Sequence, residues 1–207
     1  GLDGDGVRFV MVDHRGEVID GDGLLYIMAG ERQRSGQEVG GVVGTLMSNF
    51  GLEKAITALG FEFVRANVGD RYVMAALNER GWTLGGEASG HIVCLDKSST
   101  GDAIVAALQV LKAIVESGRS LAELKSGMSK FPHRLINVRL AERVDVMSKA
   151  SVQSAIADAE QQLAGQGRVL LRASGTEPVI RVMVEGQNAP LVQALAESLA
   201  ETVRNCL

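Results

Sequence analysis

The first 130 residues alternate short apolar runs with segments of helical periodicity. The run Phe9–Val12, the turn Asp13–Gly16 and the extended segment Glu17–Ile19 predict a β-hairpin. Asp22 is predicted to cap the first helix. The pattern then predicts helices at 23–32, 49–59, 71–80, 102–117 and 120–128, and strands at 40–43, 61–64, 82–84 and 91–95. Strands that alternate with helices indicate an α/β layered domain.

The remaining residues show a different order of elements. Phe131-Pro132 interrupts the helical pattern, and we place a domain boundary near Lys130. Pro190 falls in the first turn of the last helix, where no N–H donor is needed. The pattern predicts strands at 135–140, 168–172 and 179–185, and helices at 151–163 and 190–204. This β-α-β-β-α order predicts a small α+β domain with its helices on one face of the sheet.

Composition narrows the classes of partner. The chain has 207 residues, 46% of them hydrophobic, and 25 acidic against 21 basic side chains give a net charge of −4. A mildly acidic chain lacks the basic field that nucleic acid binding needs, so we expect no nucleic acid partner. No apolar run approaches the roughly 20 residues of a membrane span, so we expect no membrane partner.

The two cysteines and the first residue indicate where the protein works and how complete it is. Cys94 and Cys206 are far apart in the sequence, which does not suggest a disulfide framework. We therefore expect a reducing, cytoplasmic setting, and no secretory signal is visible. The chain begins at Gly1, three residues from an acidic glycine-rich loop, and functional loops are rare at frayed ends. This start predicts that the chain is part of a longer protein.

The segment Arg172–Arg181 suits an anion. Arg172 ends one apolar strand, Arg181 lies in the next, and Ser174, Gly175 and Thr176 form the turn between them. Glycine lets backbone N–H groups approach a phosphate, the hydroxyls add donors, and guanidinium groups bind phosphate oxygens in pairs. The alternative is a surface hairpin whose arginines pair with carboxylates, namely Glu177 and Glu185.

Two further glycine-rich segments carry polar side chains. In the segment 85–91, Glu87 and Ser89 can bind sugar hydroxyls, and His91 can move protons near neutral pH. The alternative is a turn between strands with a structural histidine. In the segment 3–8, Asp3 and Asp5 suit a hard divalent cation, although the spacing excludes an EF-hand. The alternative here is an acidic β-turn.

These three segments, in this order, resemble the α-D-phosphohexomutase family. The family has a metal loop D-G-D-x-D-R, a sugar loop G-E-x-S-G-H and a phosphate loop R-x-S-G-T-E-P-x-x-R. This chain has D-G-D-G-V-R, G-E-A-S-G-H and R-A-S-G-T-E-P-V-I-R. The stretches M-V-D-H-R-G-E-V-I-D-G-D, V-G-T-L-M-S-N-F-G-L-E and V-G-D-R-Y-V are similar to one branch, the bacterial phosphoglucosamine mutases.

The resemblance implies a fold and a division into domains. Family enzymes have four domains around one cleft, three α/β/α sandwiches and a smaller α+β domain like the TATA-binding protein. Residues 1–20 would be the tail of the second domain with the metal loop, and residues 21–130 the third domain with the sugar loop. Residues 131–207 would form the C-terminal phosphate-binding domain. The expected fold class is therefore α/β, a sandwich followed by a TATA-binding-protein-like domain.

The resemblance also implies an activity. Family members of this branch interconvert the 6-phosphate and 1-phosphate of glucosamine through an enzyme phosphoserine and a 1,6-bisphosphate intermediate, for UDP-N-acetylglucosamine synthesis. Mg²⁺ helps to activate the phosphoserine. A hexosamine phosphate is then the expected substrate, and the N-terminal half of the same protein is the expected partner.

Roles carry over onto individual residues by the same resemblance. Glu87 and Ser89 would hold sugar hydroxyls, while His91 would transfer or orient a proton and Arg8 would steady the transferring phosphoryl group. Asp70 and Arg71 would lie near the substrate phosphate. The phosphate that does not react would be bound by residues of one loop: Arg172, Ser174, Gly175, Thr176 and Arg181. The metal ligands would be Asp3 and Asp5.

The chain departs from the family pattern in two places. The serine loop T-A-S-H-N-P is missing, so we expect the chain alone to be inactive. Val7 stands where the family has its third metal-binding Asp, and a valine side chain offers no lone pair. We therefore expect Mg²⁺ binding to this chain to be weak or absent.

Three other functions remain open on the sequence alone. A phosphomannomutase/phosphoglucomutase would use the same scaffold, although the sequences of the S-G-T-E-P and V-G-D-R-Y-V segments argue against this function. A non-catalytic sugar-phosphate binding module is favoured by Val7. A nucleotide-binding protein is disfavoured because the chain lacks G-x-x-x-x-G-K-[ST] and a glycine fingerprint between a strand and a helix.

Overall fold

The chain folds into two compact units. A computed structural model describes residues 1–37, 40–140, 145–174 and 177–206. The first unit spans Gly1–Lys130 and the second spans Phe131–Leu207. None of the helices in the described ranges is long and apolar enough to cross a membrane.

The first unit contains six strands and five helices in the part of it that the structure describes. A small hairpin is followed by a four-stranded sheet with the order β4-β3-β5-β6, in which β3 is parallel to β4 and β5, and β6 is antiparallel to β5. The strands are β1 Met11–Val12, β2 Val18–Ile19, β3 Gly41–Thr45, β4 Glu62–Ala66, β5 Leu84–Gly86 and β6 Ile92–Cys94. The helices are α1 Gly21–Arg34, α2 Phe50–Ala58, α3 Asp70–Arg80, α4 Ala103–Ser117 and α5 Leu121–Lys125.

The sheet is the middle layer of an α/β/α sandwich. Neighbouring side chains of a strand point to opposite faces, and the fully buried pair Val42 and Val43 joins two different clusters. Val42 packs in the cluster that contains the buried faces of α1, α2 and α4. Val43 packs with Val73 and Leu77 of α3 on the other side. The sequence prediction of an α/β domain is confirmed.

Side-chain caps fix the starts of several helices. The Asp102 carboxylate accepts hydrogen bonds from the Ile104 and Val105 N–H groups at the start of α4, each at 2.9 Å. Asp20, not Asp22, is the N-cap of α1. Asp22 is buried in the first turn, where its Oδ2 accepts a hydrogen bond from the Asn49 N–H at 3.0 Å. The predicted cap at Asp22 is therefore wrong.

The second unit is a three-stranded antiparallel sheet with two helices. Its elements are β7 His133–Arg139, α6 Ala150–Leu163, β8 Gly167–Ala173, β9 Val179–Gly186 and α7 Ala189–Asn205, and the strand order is β7-β9-β8. The side chains of Val138, Leu171 and Val182 point to one face and pack with both helices. The helices thus cover one face, and alternation places Arg172 and Arg181 on the other. The predicted α+β unit is confirmed.

Candidate functional site

The segment Glu87–His91 forms a tight turn between β5 and β6. The Glu87 N–H donates to the His91 carbonyl at 2.9 Å, and the Gly90 N–H donates to the Glu87 carbonyl at 3.0 Å. Gly90 has a φ of +93°, and a Cβ there would lie 2.1 Å from the Phe9 carbonyl oxygen. Only glycine fits this position, so the close approach of the turn to the backbone of Phe9 depends on Gly90.

The Glu87 carboxylate is held at both oxygens. Oε1 accepts a hydrogen bond from the Gly69 N–H at 2.8 Å, and Oε2 accepts one from the Ser89 hydroxyl at 3.2 Å. Gly69 precedes α3, so the carboxylate lies at the positive end of a helix dipole. Each carboxylate oxygen keeps a lone pair for a further donor, such as a sugar hydroxyl. Asp70 and Arg71, both exposed, follow Gly69 directly.

The acidic loop lies beside this turn. Arg8 and His91 form an antiparallel backbone bridge, and the Phe9 N–H donates to the Gly90 carbonyl at 3.2 Å. The exposed Arg8 side chain lines a shallow depression together with Asp3 and Ser89. The structure therefore brings Asp3 and Arg8 of the acidic loop and Ser89 of the turn to one surface.

Asp3 organises the backbone of its own loop. Its Oδ1 accepts hydrogen bonds from the Val7 N–H at 3.1 Å and the Arg8 N–H at 3.2 Å. The hydrogen bond from the Arg8 N–H is the largest influence on this carboxyl and holds its pKa below the ordinary value, although burial opposes the shift. One of the few acidic oxygens in the loop is thus already used by the protein.

The donor set of this loop fits a divalent cation poorly. Asp3 and Asp5 are its only carboxylates, and the side chain at position 7 is a half-buried valine. Within the described ranges, no group of three or more His, Cys, Asp or Glu side chains is placed to hold a metal ion. Two carboxylates, one of them bonded to backbone, leave most of a Mg²⁺ coordination shell to water or to other groups.

His91 packs against a glycine that the sequence patterns did not single out. A Cβ at Gly101 would lie 1.9 Å from the His91 Nε2. The Ala103 N–H, two residues later, donates to the Gly6 carbonyl at 3.1 Å, which ties the start of α4 to the acidic loop. Gly101 precedes the helix cap Asp102, so its sequence context suggested only the end of a loop. Its role in seating the imidazole becomes visible only in three dimensions.

In the second unit, Arg172 and Arg181 are directly opposite each other. Their Cα atoms are register partners on β8 and β9, so the two side chains leave the same face of the sheet. The Ser174 N–H donates to the Val179 carbonyl at 2.8 Å and closes the hairpin. The other two predicted members of the loop, Gly175 and Thr176, lie outside the described residues.

The nearby carboxylate that could neutralise these arginines has another partner. Glu185, which is buried, accepts a hydrogen bond from the Arg168 Nε at 2.6 Å. Among the described residues, neither Arg172 nor Arg181 forms an ion pair. The surface-hairpin alternative needs these arginines to pair with Glu177 and Glu185, and no such ion pair occurs among the described residues. Both half-buried guanidinium groups keep their donors for an anion.

A residue of β7 extends the arginine pair. Asn137 is the register partner of Arg181, so Asn137, Arg181 and Arg172 form one row across the three strands. Asn137 is exposed on the face that the helices leave open. Its amide supplies donors that the sequence patterns did not reveal, since β7 and β9 are separated by a helix and a third strand.

Comparison with family models identifies both units. The model "Phosphoglucomutase/phosphomannomutase, alpha/beta/alpha domain III" matches residues 20–131. The model "Phosphoglucomutase/phosphomannomutase, C-terminal domain" matches residues 135–202. The two matches together cover most of the chain and leave out residues 1–19 and 203–207 at its ends.

Curated relatives share most of the chain at high identity. The phosphoglucosamine mutase of Methylococcus capsulatus is 61% identical over 202 residues, which are 98% of this chain and 45% of that protein. The phosphoglucosamine mutase of Hahella chejuensis is 58% identical over 202 residues, again 98% of this chain and 45% of that protein. The chain thus spans about half the length of the curated relatives it matches.

Solved structures show the same fold. An Aspergillus fumigatus N-acetylphosphoglucosamine mutase in complex with GlcNAc-6P and magnesium superposes with a TM-score of 0.78 at 23% identity, covering 98% of this chain and 51% of that chain. A putative phosphomannomutase from Thermus thermophilus gives a TM-score of 0.64 at 23% identity, covering 98% of this chain and 45% of that chain. At such identities the likeness concerns the fold.

Proposed function

Since the chain belongs to the phosphoglucomutase/phosphomannomutase family and carries its third and C-terminal domains, we propose that it is the C-terminal part of a phosphoglucosamine mutase. Relatives that are 58% and 61% identical over 98% of the chain carry that name. The intact protein would interconvert glucosamine 6-phosphate and glucosamine 1-phosphate. It would do so through a phosphoserine and a 1,6-bisphosphate intermediate, and the phosphoserine would belong to the N-terminal half.

The arginine pair is the observation that carries this proposal. Arg172 and Arg181 leave the same face of the sheet on neighbouring strands, and among the described residues no carboxylate pairs with them. Two guanidinium groups side by side match the oxygens of a phosphate monoester. They would hold the phosphate that does not react, with help from Ser174, Gly175 and Thr176. When this phosphate is bound, the opposite end of the sugar would be free for phosphoryl transfer.

The sugar loop would orient the hexosamine. The Glu87 carboxylate is already fixed by Gly69 and Ser89, so it can accept from sugar hydroxyls without losing much side-chain freedom. Ser89 would add a second contact, and Asp70 and Arg71 would lie near the substrate phosphate.

Proton transfer and charge stabilisation would come from two neighbouring residues. His91 would move or orient a proton at the hydroxyl that accepts the phosphoryl group. Arg8, across the backbone bridge from His91, would stabilise the negative charge of the transferring group.

Mg²⁺, when bound in the intact protein, would supply positive charge at the phosphoserine. Asp3 and Asp5 are the ligands that this chain would offer, although they fit the ion poorly by themselves. The finer proposal is that Val7 and the missing phosphoserine leave Mg²⁺ binding to the isolated chain weak or absent.

Compartment and partners complete the proposal. Cys94 and Cys206 are both free thiols, which is compatible with a reducing, cytoplasmic compartment. The partners would be a hexosamine phosphate and the N-terminal half of the same protein.

A non-catalytic sugar-phosphate binding module is the second candidate, and Val7 is the observation that favours it. A module of this kind would keep the phosphate clamp and the sugar loop but lack turnover in any context. Activity on mannose phosphate, the other alternative, would use the same scaffold with a different sugar preference.

Turnover of glucosamine 6-phosphate tests these functions. The chain would be fused behind the N-terminal part of the Methylococcus capsulatus relative, up to the residue aligned with Gly1; this fusion is called the extended protein. We expect it to form glucosamine 1-phosphate and to prefer glucosamine 6-phosphate over mannose 6-phosphate, while the chain alone forms none. Arg172→Ala should raise the KM by about tenfold to a hundredfold, since each hydrogen bond to a charged group contributes about 1.5–3 kcal/mol.

Arg204→Ala is the matched control, because Arg204 is an exposed arginine of the same unit that pairs with Glu201 on α7. It should leave the KM unchanged. An unchanged KM for Arg172→Ala would remove the phosphate clamp from the proposal. A folded extended protein that binds glucosamine 6-phosphate without turning it over would favour the binding module, and a preference for mannose 6-phosphate would favour the sibling enzyme.

A further inference from the structure

Helix α4 is apolar on two sides. Its inner side is buried and consists of Ala103, Ala106, Val110 and Ala113, which pack in the main core of the first unit. Its outer side carries Ile104, Leu108, Leu111 and Val115, whose exposed fractions are 59%, 55%, 48% and 80%. These four outer side chains are called the α4 apolar face.

The spacing along the α4 apolar face is that of a helix-packing seam. Its residues follow one another at intervals of four, three and four, which places them in one stripe. A helix of a globular protein normally buries one apolar stripe, so a second apolar stripe on the same helix is surplus to the core of this unit. Contiguous apolar surface with a polar rim is typical of an interaction site.

A groove runs beside this stripe. Ile104, Leu108 and Leu111 form one wall, and Leu2 and Val10 from the start of the chain lie on the other. The nearest charged pair on the helix is Lys112 with Glu116, whose side chains are 2.9 Å apart and cancel in charge. A membrane-surface helix would carry a basic rim, so this neutral edge favours a protein partner.

We propose that the α4 apolar face is the docking surface for the part of the protein that precedes this chain, and that the docked element is a helix. The family matches are to the third and the C-terminal domain, so the missing 55% or so of the relatives' length lies before them. Gly1 and Leu2 line the same groove, so a polypeptide that continues before Gly1 emerges beside the stripe. Apolar side chains at intervals of four, three and four form the kind of stripe against which the side chains of a second helix pack.

Thiol labelling tests this surface directly. Leu108→Cys is placed in a Cys206→Ala background, in which the remaining Cys94 is buried. We expect a maleimide to label Leu108→Cys rapidly in the chain alone and at least about tenfold more slowly in the extended protein. In the docked state the thiol reacts only when the interface opens transiently. Glu201→Cys, at an exposed α7 position with a side chain 61% accessible, should label equally fast in both proteins.

Equal labelling of Leu108→Cys in the two proteins overturns the proposal, whatever the turnover of the extended protein. Leu111→Cys repeats the measurement at a second exposed position. If the extended protein misfolds, the intact Methylococcus capsulatus relative takes its place, with cysteine at the residue aligned with Leu108. Sedimentation of the chain alone tests whether a second copy of the chain occupies the α4 apolar face instead. If the chain forms a dimer that Leu108→Glu with Leu111→Glu dissociates, and Leu108→Cys is not protected in the extended protein, the surface binds a second copy.

Discussion

At the scale of single residues, Cys94 shows how burial keeps a reactive side chain in its unreactive, protonated form. It is 2% exposed at the end of β6, close to the buried guanidinium of Arg32. Burial raises the pKa of the Cys94 thiol to about 11, although the positive charge of Arg32 opposes the rise. The thiol is therefore protonated throughout the physiological range and is a structural group, not a nucleophile.

This shift predicts a loss of stability in alkaline solution. The folded pKa is raised, so the stabilisation is complete below the ordinary thiol pKa of 9.0 and is lost as the pH rises towards about 11. We expect the free energy of unfolding to fall in that window by up to about 1.4 kcal/mol per pH unit, as measured by urea titration. Cys94→Ala should remove this part of the pH dependence, and Cys206→Ala should retain it. Identical pH profiles for the wild type and Cys94→Ala would show that the thiol does not titrate in this way.

Two aspartates show what a sequence can and cannot say about one residue. Asp20 and Asp22 both precede the first apolar positions of α1, and either satisfies the pattern of an N-cap. The choice is made by tertiary structure, because the Asn49 N–H needs a buried acceptor and Asp22 provides it. Asp102, with no competing aspartate at its helix start, was predicted to begin α4 and caps it.

At the scale of elements, local patterns predicted most of the secondary structure, and packing adjusted the rest. The helix predicted at 120–128 is shorter, Leu121–Lys125, and Gly127 just beyond it lies against Tyr26. A Cβ at Gly127 would lie 2.0 Å from the Tyr26 hydroxyl oxygen. The sequence of the segment 120–128 does not indicate that Tyr26 will lie against it.

The row formed by Asn137, Arg181 and Arg172 is also a property of elements and not of local sequence. The hairpin between β8 and β9 brings the two arginines together within one continuous segment, so their proximity was predictable. Asn137 reaches Arg181 only because β7 pairs with β9 across the crossover through α6. Single-sequence patterns carry no information on such non-local pairing.

The row predicts a role for Asn137 that rests on the proposed function. Its amide should add a hydrogen bond to the phosphate beside Arg181, and a neutral hydrogen bond contributes about 0.5–1.5 kcal/mol. In the extended protein, we expect Asn137→Ala to raise the KM for glucosamine 6-phosphate by about twofold to tenfold, with little change in kcat. Arg134→Ala, an exposed substitution at the opposite parity of the same strand, should leave the KM unaltered. If both variants behave alike, β7 has only a structural role.

At the scale of the whole molecule, the proposed reaction needs groups that this chain does not contain. The phosphoryl donor would belong to the N-terminal half, and the metal loop offers only Asp3 and Asp5. Mg²⁺ binds few carboxylates, keeps several waters and completes its shell with phosphate oxygens. Under the proposed function, such a metal site would be complete only when the serine loop of the other half is present.

Mg²⁺ affinity should therefore increase as a third carboxylate and then the phosphorylated serine are added to the site. We expect calorimetric titration of the chain alone to show no binding in the micromolar range. Val7→Asp in the chain alone should strengthen Mg²⁺ binding measurably, because it adds a third anionic side chain to the loop. The extended protein with Val7→Asp and a phosphorylated serine should bind Mg²⁺ more tightly than either.

The control for the Val7→Asp effect is Val12→Asp, which adds the same charge at a position that is 56% exposed on β1. It should leave the Mg²⁺ affinity of the chain unchanged, since an exposed carboxylate outside the loop attracts the ion only through screened charge. Micromolar binding by the unaltered chain would mean that Asp3 and Asp5 suffice and that the valine is no impairment. Equal gains from Val7→Asp and Val12→Asp would mean that net charge matters and loop geometry does not. A gain confined to Val7→Asp would support a metal site weakened by one substitution within an otherwise intact loop.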